Sequence, residues 1–111
     1  MPEPMPPPVE EADVRDVALA VQADADAMLI DVREAWEWQN GHAVSARHIP
    51  LQELPARIEE LPRTAPLYLI CATGNRSGVA AQYLKDAGFE RPINVRGGTK
   101  AWREAGLPVE R

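Results

Sequence analysis

The sequence holds one cysteine, seven glycines and two histidines in 111 residues, and each scarcity excludes a class of protein. A single thiol cannot build a disulfide scaffold, and so few glycines cannot follow a collagen repeat. One cysteine and two histidines do not make up a structural zinc site, so no metal is expected. Long apolar runs are lacking as well. The longest, Leu67 to Ala72, is strand-sized and far below the roughly 18 residues of a membrane span, so no membrane partner is expected. The N-terminus lacks the basic-then-apolar pattern of a secretory signal. With a lone thiol, that points to a reducing, cytoplasmic location. Positive charge is short too: 12 Lys and Arg against 17 Asp and Glu leave a net charge of −5. Such a chain repels phosphate backbones, and no nucleic acid partner is expected.

What remains is the composition of one globular domain, 45% hydrophobic and 26% charged, at a length that suits one domain. Five of the eleven prolines lie in Met1 to Pro8. Residues 1–10 therefore read as a proline-rich flexible tail and residues 11–111 as the domain. Charge is uneven along the chain: −7 over residues 1–34, −1 over 35–70 and +3 over 71–111. The basic end would suit a small anionic ligand, although charge counting alone favours a set of solvated surface charges. Monomer is the default expectation.

Val14, Val17, Ala18 and Val21 recur at helical spacing, with Asp13 placed to cap and Asp16 in the first turn. Met28 to Val32 reads as a strand covered on both faces. Arg33 to Ser45 is polar and reads as a loop with a short helical turn. Arg47-His48-Ile49 predicts a short strand stopped by Pro50. Pro55 suits the first position of a helix whose apolar stripe is Leu54, Ile58 and Leu61. Leu67 to Cys71 is a second buried strand. Ser77 to Ala87 predicts a helix with Val79, Tyr83, Leu84 and Ala87 inward and Gly88 as its stop. Ile93-Asn94-Val95 predicts a third strand, and Gly97-Gly98 turn the chain into a last helix, Thr99 to Ala105. Trp38 and Trp102 are expected in the core, Trp36 outside it, and His48 at the periphery. Strands alternating with helices imply an α/β domain with a mainly parallel sheet. Ligands of such sheets bind beyond the carboxyl ends of the strands. The residues after Val32, Cys71 and Val95 are therefore where chemistry is expected.

Cys71 ends a strand, and Ala72-Thr73-Gly74-Asn75-Arg76 lead into a helix near Ser77. A tight loop entering a helix N-terminus turns several backbone N–H groups inward as an anion cradle around the sulfur. The helix dipole and the charge of Arg76 add to it, and all three favour thiolate over thiol. A buried structural cysteine is the alternative. Its position at the end of a strand, before Gly, Asn, Arg and Ser, favours a reactive thiol.

The segment Cys71-Ala72-Thr73-Gly74-Asn75-Arg76-Ser77 resembles the active-site loop of the rhodanese family of sulfurtransferases. Asp31-Val32-Arg33-Glu34, Gly41-His42, Ala46, Ile49 and Pro50 resemble that family's first signature block. Gly97-Gly98, Ala101-Trp102 and Gly106-Leu107-Pro108-Val109 resemble its C-terminal block. The likeness runs over about residues 13–110 and matches the single-domain form. It implies a single α/β domain with a central sheet of about five mainly parallel strands and helices on both faces. It also implies a sulfurtransferase that moves a sulfane sulfur from thiosulfate or a similar small anionic donor to cyanide, a thiol or a protein acceptor, through a persulfide on Cys71. Ala72, Thr73, Gly74, Asn75, Arg76 and Ser77 would bind the substrate, and no cofactor is implied. Asp31, Arg33 and His42 would lie near the site in structural roles.

Four residues separate Cys71 from Arg76. Phosphatases of related fold place five there, so the shorter loop implies sulfur transfer over a phosphatase or arsenate reductase. The other alternative is a protein-interaction module, either non-catalytic or carrying a persulfide. Two departures from the family pattern stand out: Ala43 replaces a larger aliphatic, and Ser45 replaces a glycine.

Overall fold

The computed structural model describes residues 9–111. Most of the expected tail, residues 1–8, lies outside them. Glu10 does not: it opens a strand, β1 (Glu10–Ala12), that the sequence reading did not contain. The chain continues through helix α1 (Val14–Ala23), strand β2 (Met28–Asp31) and helix α2 (Ala35–Gln39). Two short strands follow, β3 (His42–Ala43) and β4 (Arg47–His48), and then helix α3 (Leu54–Arg57), flanked by 3-10 turns. Strand β5 (Leu67–Ile70), helix α4 (Asn75–Asp86), strand β6 (Pro92–Val95), helix α5 (Gly98–Glu104) and strand β7 (Val109–Glu110) complete the described chain. Five strands form one parallel sheet in the order β1-β6-β5-β2-β4. β3 and β7 form a small antiparallel pair beside it.

Alternation of side chains along each strand sorts them onto two faces. Ile30, Leu67, Leu69 and Cys71 join Leu54, Ala80, Ala81 and Leu84 in a core beneath α3 and α4. Leu29, Tyr68, Ile70, Ile93 and Val95 join Val14, Val17 and Trp102 in a second core beneath α1 and α5. The near-continuous apolar runs of β2 and β5 are the mark of strands covered on both faces. Asp13 caps α1 through the Arg15 N–H, as its spacing predicts. No helix among the described residues is long and apolar enough to cross a membrane.

Four expectations need correction. Val79 and Tyr83 do not face inward: Val79 is 61% exposed and Tyr83 lies at the surface. The inner face of α4 is Ser77, Ala80, Ala81 and Leu84: three small residues where the helix opens against β5 and β6, and a leucine one turn further on. Its first residue is Asn75, two before the expected start. Trp38 is not a core residue and His48 is not peripheral. Trp38 is half-buried and sandwiched between the rings of His42, 3.4 Å away, and His48, 4.8 Å away. His48 Nε2–H also donates to the Arg33 carbonyl at 2.8 Å.

Ser45 has φ +75°, the left-handed region that favours glycine. An L residue there carries roughly 1–2 kcal/mol of strain. Ser45, where the resemblance expects glycine, thus falls on a backbone that glycine fits. Ser45→Gly should raise the unfolding free energy in urea by about 1 kcal/mol, once the greater entropy of the unfolded glycine chain is set against the relieved strain. An unchanged or lower midpoint would contradict the strain.

Candidate functional site

Cys71 is the first residue after β5. It continues the Leu67, Leu69 parity, so its side chain turns toward α4. The chain then curls through Ala72 and Thr73 to Gly74, whose φ of +108° lets the loop close into the first turn of α4. The result is a set of donors around one sulfur. The Gly74 N–H donates to Sγ at 3.1 Å, and Ser77 Oγ stands 3.2 Å from it. Cys71 is 1% exposed. Burial alone pushes the thiol pKa up. Hydrogen bonds from the Ser77 hydroxyl and from the N–H groups of Ser77, Gly74 and Thr73 outweigh it, so the pKa falls below the ordinary thiol value.

The other loop residues take distinct places. Thr73 and Asn75 are exposed at the rim. Ala72 contributes its carbonyl to a backbone bond from Lys100 N at 3.1 Å. Arg76 does not add a free charge to the cradle, as the sequence reading had it. Its Nη1 and Nη2 donate to Oε1 and Oε2 of Glu37 at 2.7 and 2.8 Å, a bidentate pair across the mouth of the loop. The Arg76 hydrogen bonds hold the Glu37 carboxyl down at about 2. The cation is thus matched by an anion, and the loop's N–H groups and Ser77 remain to stabilise negative sulfur.

Asp31, Arg33 and His42 form a scaffold alongside. Arg33 Nε and Nη2 grip Asp31 at 2.9 to 3.1 Å, and Nη2 also donates to the Gly41 carbonyl at 2.8 Å. This buried pair ties the end of β2 to the chain after α2. His42 Nδ1–H donates to the Trp38 carbonyl at 2.9 Å. These bonds orient α2, which carries Glu37, and none of them runs to the Cys71 loop.

Four residues that sequence reasoning missed hold the site. Glu37 pairs with Arg76. Asn94 of β6 lies on the Cys71 face of the sheet and meets Ser77 Oγ at 2.6 Å. Thr99 N and Oγ1 donate to the Cys71 carbonyl at 2.8 and 3.0 Å, fixing the end of β5. Gly98, with φ +60°, packs so tightly that a Cβ would stand 2.5 Å from the Cys71 carbonyl oxygen. Signals were present for two of them: Asn94 is a polar residue inside an apolar strand, and Gly98 sits in a double glycine after it. Among the described residues, no group of three or more His, Cys, Asp or Glu side chains lies together to hold a metal ion.

Comparison with known proteins places the architecture. The profile of the rhodanese-like domain matches residues 14–105. A sulfurtransferase of Allochromatium vinosum is 33% identical over 91% of this chain and 94% of its own. A thiosulfate sulfurtransferase, GlpE, of Vibrio cholerae is 36% identical over 86% and 90%. A rhodanese-related protein of Thermoplasma volcanium superposes with a TM-score of 0.80 at 32% identity, over 91% of this chain and 97% of that one. Two further relatives are longer, and the chain spans 60% of one and 44% of the other.

Gly98→Ala should force the loop away from α5. The expected result is a loss of about 1–3 kcal/mol in unfolding free energy, with slower alkylation of Cys71. A variant with wild-type stability and alkylation rate would show that the loop does not depend on this contact.

Proposed function

Because the chain belongs to the rhodanese-like domain family, we propose that it is a sulfurtransferase working through a persulfide on Cys71. The observation that carries this reading is the single sulfur enclosed by hydrogen-bond donors at the end of β5. The names of its relatives support the class of reaction.

The Cys71 thiolate attacks the outer sulfur of thiosulfate or a similar donor. A new S–S bond forms, the bond between the outer sulfur and the sulfonyl group breaks, and sulfite leaves with that electron pair. Cys71 now carries a terminal sulfur with one negative charge. The inward N–H groups of the loop stabilise that charge as an oxyanion hole would. A nucleophile, cyanide in the test tube or a thiol, then attacks the terminal sulfur, and the Cys71 thiolate leaves. Two displacements replace one difficult step. These 111 residues hold no second cysteine to resolve the persulfide, so the acceptor lies outside this domain. The loop encloses a sulfur atom, and its four intervening residues favour this over phosphoryl transfer.

The Glu37–Arg76 pair bears on the donor. A dianion approaching the mouth meets a cation already matched and a carboxylate beside it. Binding of thiosulfate therefore rests on the loop N–H groups, and freeing Arg76 should strengthen it. Thiocyanate formation from thiosulfate and cyanide should be measurable for the wild type and absent for Cys71→Ala. Glu37→Gln should lower the KM for thiosulfate several-fold. Hydrolysis of an aryl phosphate in place of sulfur transfer would overturn the reading. An unchanged KM in Glu37→Gln would show that Arg76 does not meet the donor.

A further inference from the structure

Cys71 Sγ and Asn94 Oδ1 both lie within hydrogen-bond distance of one Ser77 hydroxyl, at 3.2 and 2.6 Å. A hydroxyl carries one proton and donates to one of them at a time. Asn94 does not escape the conflict by turning its amide round. Its Nδ2 stands 3.1 Å from both the Glu11 carboxylate and the Gly74 carbonyl, two groups that only accept. That end must carry the hydrogens, and the oxygen must face Ser77. Ser77 is fully buried and Asn94 is 4% exposed, so bulk water does not replace a lost partner.

We propose that Asn94 is a positioning residue that competes with Cys71 for the Ser77 proton, so that the hydroxyl reverses direction whenever Cys71 gains or loses its charge. With Cys71 neutral, Ser77 donates to Asn94 and the thiol S–H donates to Ser77 Oγ. With Cys71 ionised, the charge-assisted bond draws the hydroxyl to sulfur. The Asn94 carbonyl is then left without its donor in a buried place, which is costly. Asn94 thus opposes the thiolate that Ser77 supports.

For the proposed sulfurtransferase this is a useful balance, because an over-stabilised thiolate is a weaker nucleophile. That consequence rests on the persulfide reading; the proton competition does not. Arg76 of α4 lies with Glu37 of α2, and Glu34 stands near that pair. Arg33 is matched by Asp31 at the end of β2, and Glu11 of β1 by Arg96 beyond β6. From α5 the loop receives the neutral Thr99 and the backbone of Lys100.

The test is the pH dependence of Cys71 alkylation by iodoacetamide, followed by intact mass. Asn94→Ala should move the midpoint down by roughly 0.5–1 pH unit, the scale of the one neutral hydrogen bond that ionisation of Cys71 forfeits. Ser77→Ala should move it up by a similar amount, and the double variant should follow Ser77→Ala, since no proton remains to contest. A purely structural Asn94 would give upward shifts in both single variants, and that result would overturn the proposal. A second readout uses the unaltered protein, should Asn94→Ala fold poorly. The side-chain carbonyl carbon resonance of Asn94 should titrate with Cys71 in the wild type and not in Ser77→Ala. A resonance that stays flat through the Cys71 titration would also overturn it. Alkylation needs no sulfur donor, so this outcome is separate from whether Cys71 accepts sulfur.

Discussion

The parity of β5 decides where the reactive sulfur goes. Leu67 and Leu69 must face the core beneath α4, and the two-residue repeat carries Cys71 to the same side. There the sulfur meets the opening turn of α4, where backbone N–H groups have no helical partner of their own. The Cys71 carbonyl points the other way and is held by Thr99 at the start of α5. One residue is thus fixed at both ends by two helices that follow different strands. Shifting β5 by one position would turn the sulfur to the α1 side and lose the cradle. Close approach of α4 is part of the same constraint. It requires Ser77, Ala80 and Ala81 on the inner face, which is why the hydroxyl can reach the sulfur at all.

Electrostatics at the site is local and short-ranged. The sequence suggests a basic C-terminal third converging on an anion, with Arg76 foremost. The fold instead spends that guanidinium on Glu37, from a helix 39 positions earlier. What lowers the Cys71 pKa against the opposing effect of burial is a set of hydrogen bonds, one from a side chain and the others from the backbone. Such an arrangement suits a reaction in which the charge stays within one or two sulfur atoms. It puts the donors where charge sits and leaves the rim, Thr73 and Asn75, uncharged.

Much of this was legible in the sequence, and the misreadings have physical causes. Strands β2, β5 and β6 announced themselves as short apolar runs, and Gly74 and Ser77 marked the loop by chemistry alone. β1 was missed because Glu10 and Glu11 are edge residues facing solvent, so no apolar signal marks them. The inner face of α4 was misread because hydrophobic periodicity points to large residues, whereas a helix pressed against a sheet buries small ones. Trp38 and the two histidines stack across a loop, a contact that no local pattern encodes. The Arg76–Glu37 pair and the Asn94–Ser77 contact join residues far apart in the chain, and only the fold brings them together.

Sulfur transfer through this site requires that Cys71 take up a sulfur atom. Intact mass after incubation with thiosulfate, and again after cyanide, reads this directly. The wild type should gain about 32 Da, one sulfur atom, lose it on cyanide treatment, and show neither change as Cys71→Ala. A folded wild-type protein that gains no mass from thiosulfate would contradict the account and leave the cradle as a binding site without transfer.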